Sequence, residues 1–144
     1  MGVDYVGLLT GGEYHPEHGS GAMTVFEGST VAVSHSTFTG NWAGVDDHGQ
    51  STYTASIFWK NNLRGGISAG ARYELDLGYG AGVRGSFIHG DVNDLAGTIN
   101  RDVNTFDPPD PRFDASFVPQ APEFAGVGYR PINAASTPPR RGGR

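Results

Sequence analysis

Val31-Ala-Val-Ser-His-Ser-Thr-Phe-Thr-Gly-Asn41 returns in pattern 20 residues later as Ser51-Thr-Tyr-Thr-Ala-Ser-Ile-Phe-Trp-Lys-Asn61. The overlay sets Val33 on Tyr53, Ser36 on Ser56, Phe38 on Phe58 and Asn41 on Asn61. A looser third copy, Ala81-Gly-Val-Arg-Gly-Ser-Phe-Ile-His-Gly90, sets Phe87 in the Phe58 position with one residue fewer between Val83 and the Phe. Repeats of this length predict a solenoid, in which each unit buries its apolar face against its neighbours.

The composition agrees with β-structure. The chain has 144 residues, 23 of them glycine, and only 17% are charged. Glycine opposes helix by roughly 1 kcal/mol per residue relative to alanine, so a helical bundle is disfavoured. Without cysteine, neither disulfides nor thiolate metal sites can form. The N-terminus carries Asp4 and no basic region, so it does not read as a secretory signal. No apolar run approaches the roughly 20 residues of a membrane helix, and no membrane insertion is expected. Residues 1–100 hold four basic groups, Lys60, Arg64, Arg72 and Arg84, against ten acidic ones. Phosphate binding draws on clustered Lys and Arg, so nucleic acid is not an expected partner.

Short strands broken by corners are expected at 22–26, 31–38, 52–59, 73–77 and 83–88, with 42–49 a polar, turn-rich connection. In Tyr73-Glu-Leu-Asp-Leu77 the alternation directs Tyr73, Leu75 and Leu77 inward and Arg72, Glu74 and Asp76 outward. Eight of the nine prolines lie at or beyond Pro108. Proline removes ladder hydrogen bonds, so this shift marks a boundary near 105. The expected organisation is β-helix coils over 1–104, an extended capping segment over 105–131 anchored by Phe113, Phe117, Phe124 and Tyr129, and a disordered basic tail over 132–144.

Val33-x-x-Ser36-x-Phe38-x-x-Asn41, its counterpart through Asn61, Arg72-Tyr-Glu-Leu-Asp-Leu77 and Ala81-Gly-Val-Arg-Gly-Ser-Phe87 together resemble the C-terminal coils of right-handed parallel β-helix proteins, the pectate-lyase-like superfamily. The likeness covers about residues 20–92. It implies an all-β fold, a short right-handed parallel β-helix with an irregular proline-rich C-terminal segment. Aligned Phe residues would pile into the interior, and each Asn would bond its counterpart in the next coil. The resemblance also implies an extracellular or surface-associated setting. Members of the superfamily include polysaccharide lyases, glycan hydrolases and phage tailspikes, so fold alone does not select an activity. The room for about four or five coils is less than the enzymes have.

Candidate chemistry sits on the residues between the repeats. Asp46 and Asp47, read as part of a turn, could offer oxygen ligands to calcium, or simply shape that turn. No other cofactor is implied. Arg72, Glu74 and Asp76, with Trp42 as a stacking face, could line a glycan groove, or form a solvated strand face. Lys60 or Arg64, as a base with a lowered pKa, and Asp47 are the candidate catalytic residues of a lyase, though no assembled catalytic set is present. Trp59 reads as either a sugar platform or a buried side chain. Proline between His15 and His18 works against a zinc motif. Gly78-Tyr-Gly-Ala-Gly82 lacks the following helix that a dinucleotide fingerprint needs.

Two functions follow as expectations. The first is a non-catalytic module that binds polysaccharide or assembles with other protein chains, because a short stack has ends to cover. The second is a polysaccharide lyase or glycoside hydrolase, or a fragment of one. An outer-membrane barrel and a compact sandwich are competing architectures; most segments are too short and irregular for the roughly ten-residue strands of a barrel, and the sandwich is the stronger competitor.

Overall fold

A computed structural model describes residues 21–41, 43–61, 74–95 and 97–131 of the chain. It is all-β, with eleven strands and one short 3-10 turn, at Pro122–Phe124, among the described residues. The strands are β1 (Gly21–Val25), β2 (Ala32–Ser34), β3 (Thr37–Thr39), β4 (Ala43–Asp47), β5 (Thr52–Thr54), β6 (Ile57–Trp59), β7 (Leu75–Leu77), β8 (Gly82–Arg84), β9 (Phe87–Ile88), β10 (Val92–Asp94) and β11 (Thr105–Phe106). They lie in three sheets, β1-β4-β7-β10, β2-β5-β8 and β3-β6-β9-β11. The chain thus visits the sheets in a fixed order, pass after pass. Each strand pairs in parallel with its counterpart from the preceding pass. A single bridge, Val83 to Ile99, continues the second sheet into the fourth pass. Every pairing among the described residues is parallel, as in a parallel β-helix-like fold and unlike an antiparallel barrel or sandwich.

The 20-residue repeat is a real register. Val33 pairs with Tyr53 and Phe38 with Phe58. The expected single strands over 31–38, 52–59 and 83–88 are each two strands in different sheets. A corner separates them, where His35 (φ 47°), Ala55 (φ 48°) and Gly85 (φ 61°) take the left-handed conformation. A β-strand cannot pass through such a residue, and only Gly adopts it without strain. The serine that follows secures each corner. Ser36 N–H donates to Ser56 Oγ (3.2 Å), Ser56 N–H to Ser86 Oγ (3.1 Å) and Ser86 N–H to Asn104 Oδ1 (3.0 Å).

This corner corrects the third repeat. Val83 to Ile88 has the same spacing as Val33 to Phe38, and Ile88, not Phe87, pairs with Phe58. Phe87 pairs with Ile57 and faces outward with it. The interior gathers Phe38, Val45, Tyr53, Phe58, Leu75, Leu77, Val83 and Ile88. Phe38 and Phe58 stack at 5.0 Å with rings 4° from parallel, and Tyr53 meets Phe58 edge-on at 5.8 Å.

The proline-rich segment lies along the side of the stack. Phe124 is fully buried against Ile57, Trp59 and Phe87 on the outer face of the third sheet, with Ala121, Phe113 and Val127 around it. It tilts over Phe87 at 4.5 Å. The segment reaches the second pass where Gly128 N–H donates to Ala55 O (2.8 Å), and the first where Tyr129 N–H donates to Thr37 Oγ1 (2.9 Å). Gly128 must be glycine: its φ is 78°, and a Cβ would run into Ile57 Cδ1 and stand 2.8 Å from Thr37 Oγ1. Of the expected anchors, Phe124 is buried and Phe113 half-buried, whereas Phe117 and Tyr129 are exposed. Phe124→Ala should free this strap locally and leave the sheets in place. The expected result is a red shift of tryptophan emission as Trp59 meets water, with the far-ultraviolet circular dichroism of the strands retained.

Candidate functional site

Asp46 and Asp47 do not form a turn; they belong to β4, inside the first sheet. Consecutive strand residues face opposite sides, so the two carboxylates are directed apart. Asp47 points inward and is fully buried. It accepts hydrogen bonds from Tyr53 Oη and from Gly49 N–H (2.8 Å). Burial, then the Asp47 bond and charge, push the Tyr53 phenol well above its ordinary pKa, so it stays a donor. Asp46 points outward, with His48 Nε2 2.7 Å from its Oδ1. The pair that calcium would need is therefore not brought together.

Glu74, expected on the outward face, is instead 2% exposed. It ends a buried polar row. Asn41 Nδ2 donates to Asn61 Oδ1 (2.6 Å), and Asn61 gives its Nδ2–H to Glu74 Oε2 (2.6 Å) and its N–H to Glu74 Oε1 (3.0 Å). Burial raises the Glu74 pKa, while the Asn61 bonds and nearby His89, whose Nδ1 is 3.6 Å from Oε1, pull it back. Alternation fails here because Glu74 precedes β7 and lies at the corner, where inward and outward are set by the turn. Asp76 lies within β7, 8% exposed, and accepts from Asn93 Nδ2 (2.7 Å). Arg72, Trp42, Arg64, His15 and His18 lie outside the described residues. Lys60 is exposed at the corner after β6, its Nζ 5.5 Å from the Trp59 ring centre. Trp59 is 8% exposed, covered by the strap and by His89 at 4.4 Å. Of the expected glycan face, the two described members, Glu74 and Asp76, are both buried.

A different surface does converge. At the corner between the first and second sheets, successive passes stack backbone on backbone. His48 N–H donates to Val25 O (2.9 Å), Gln50 N–H to Ser29 O (2.9 Å) and Gly78 N–H to Asp47 O (2.7 Å). The approach is too close for side chains. A Cβ on Gly49 would overlap Ser29 O, and one on Gly80 would sit 2.6 Å from Gly49 O. The glycines floor an open groove of about 400 Å³, lined by Glu27, His48, Gln50, Tyr79 and Leu95. Tyr79 stands 80% exposed beside it, an aromatic face with no cost to uncover. An aromatic face, an amide, an imidazole and a carboxylate around a concave floor suit a ligand with many hydroxyls and apolar C–H faces. The sequence carried one signal of this surface, the Gly78-Tyr-Gly80 run, whose tyrosine alternates with two backbone-packing glycines.

No family model, no curated protein and no solved structure matches this chain.

Proposed function

We propose that the chain is a short right-handed parallel β-helix, working as a non-catalytic module that binds a glycan along the corner between its first and second sheets, at a cell surface or on a particle. The right hand follows from the general handedness of parallel crossovers. The observation that carries the binding role is Tyr79, held out at a glycine-floored groove with Glu27, His48 and Gln50 as polar neighbours. Asp47 supplies no accessible base, since its carboxylate is interior and engaged by Tyr53, and this weighs for binding over lyase chemistry.

The test is calorimetric titration with neutral polysaccharide fragments. Tyr79→Ala should weaken binding at least tenfold and leave stability within about 0.5 kcal/mol, because an exposed side chain contributes little to folding. Retention of full affinity by Tyr79→Ala would sink the assignment of this groove.

A further inference from the structure

A second groove, of about 340 Å³, runs over the outer face of the second sheet. Register lays out its floor. Thr52 and Gly82 form one column, and Thr54 and Arg84 the next. The bridge from Val83 to Ile99 extends both columns to Thr98 and Asn100. A Cβ on Gly82 would meet nothing within 4 Å, so the groove is open where that side chain is missing.

Its chemistry is the reverse of the chain's. The protein carries a net charge of -5, yet no carboxylate lines this groove. Arg84 is exposed on the groove wall, and among the described residues no carboxylate pairs with its guanidinium. The nearby Asp94 is turned to its own loop, where Oδ1 accepts from Thr98 Oγ1 (3.1 Å) and Oδ2 from Ile99 N–H (2.6 Å). Asn100 Oδ1 is taken by Asp102 N–H (2.8 Å), and its Nδ2 donates to none of the described residues. Thr52 Oγ1 makes no bond to them either. Three donors of different passes, Thr52, Arg84 and Asn100, thus surround one opening. A guanidinium fork takes two oxygens of an oxyanion in its own plane. Donors one pass to either side suit a third oxygen out of that plane, which a tetrahedral group has and a carboxylate lacks.

The two grooves adjoin. Gln50 and Gly80 line the first, Thr52 and Gly82 the second, with only the buried Ser51 and Ala81 between them. We infer that the Arg84 groove holds a tetrahedral oxyanion ester, sulfate or phosphate, carried by the glycan whose sugar ring lies against Tyr79. This rests on the glycan reading of the corner groove.

The experiment titrates the full chain with a neutral galactan oligosaccharide, its O-sulfated form and its O-phosphorylated form. One esterified form should bind at least tenfold more tightly than the neutral one, and the form preferred identifies the source of the oxyanion. Arg84→Gln should remove that preference and leave affinity for the neutral form unchanged, whereas Arg84→Lys should keep part of it as a point charge. Tyr79→Ala should weaken all three. Equal affinity for neutral and esterified forms, or a preference that survives Arg84→Gln, overturns the oxyanion site while sparing the glycan reading. Failure of all three ligands to bind the wild-type chain overturns both.

Discussion

Phe58→Ala is expected to lower the unfolding free energy by about 3–5 kcal/mol, the range for truncating a buried aromatic side chain. Phe58 is fully buried, pairs in register with Phe38 and Ile88, and touches rings on two sides. Its removal opens a void in the middle of a row that runs the length of the stack, and parallel neighbours fixed by ladder hydrogen bonds cannot close over it. Total stabilities of small domains are about 5–15 kcal/mol, so much of the fold's margin would go. Urea denaturation followed by circular dichroism measures the loss. Phe58→Leu, which keeps most of the volume, should cost less than half as much; equal losses would mean that the aromatic stack, and not cavity formation, governs the site.

Asn61→Ala should be about as damaging, by a different route. It strips Glu74 of the Nδ2 donor on its Oε2 and Asn41 of an acceptor, all of it buried. Leaving a buried donor or acceptor unsatisfied costs about 1–3 kcal/mol, and more where the group is charged. The loss should depend on pH, with a definite sign. Burial holds the Glu74 carboxyl above its ordinary pKa, so the folded chain binds that proton more tightly than the unfolded one. Its contribution is therefore greatest below the ordinary carboxylate range and is lost as pH rises through the raised value. The Asn61 side-chain bond lowers that pKa, and deleting it lifts the folded value further. The deficit of Asn61→Ala relative to wild type should then be smaller near pH 4 than near pH 7. Equal deficits at the two pH values would show that the ionised form of Glu74 is not what Asn61 supports.

Much of the fold was readable because the repeat carries its own register. Val33 over Tyr53, Phe38 over Phe58 and Asn41 bonded to Asn61 all follow from one 20-residue offset. What hid the third pass was aromatic size: Phe87 looks like the counterpart of Phe58, but the corner residue Gly85 and the following Ser86 set the phase, and they assign that position to Ile88. Polar residues misled for a related reason. Asp47 and Glu74 look like surface groups, because burying a carboxylate is costly unless donors await it. Those donors, Tyr53 Oη, Gly49 N–H and Asn61, come from the same pass or across a corner and leave no periodic trace in the sequence. The corner groove was harder still to foresee. Its floor depends on the distance between backbones in adjacent passes, which no single residue type announces.

The corner between the third and first sheets takes up a far larger change in length than the glycine corner, where the offset shifts only from 22 to 20. The offset between paired residues is 20 from β3 to β6 and 30 from β6 to β9, and it holds at 30 in all three sheets from β4 to β9. The whole change in length is thus taken up between Trp59 and Leu75, without disturbing the strands on either side. A foreign peptide or a second domain spliced into that connection would leave the pairing intact, whereas one inserted at Gly49 or Gly80 would separate backbones that touch. The molecule is in this sense a mounting frame whose strand pairing tolerates added length at one corner and not at the other.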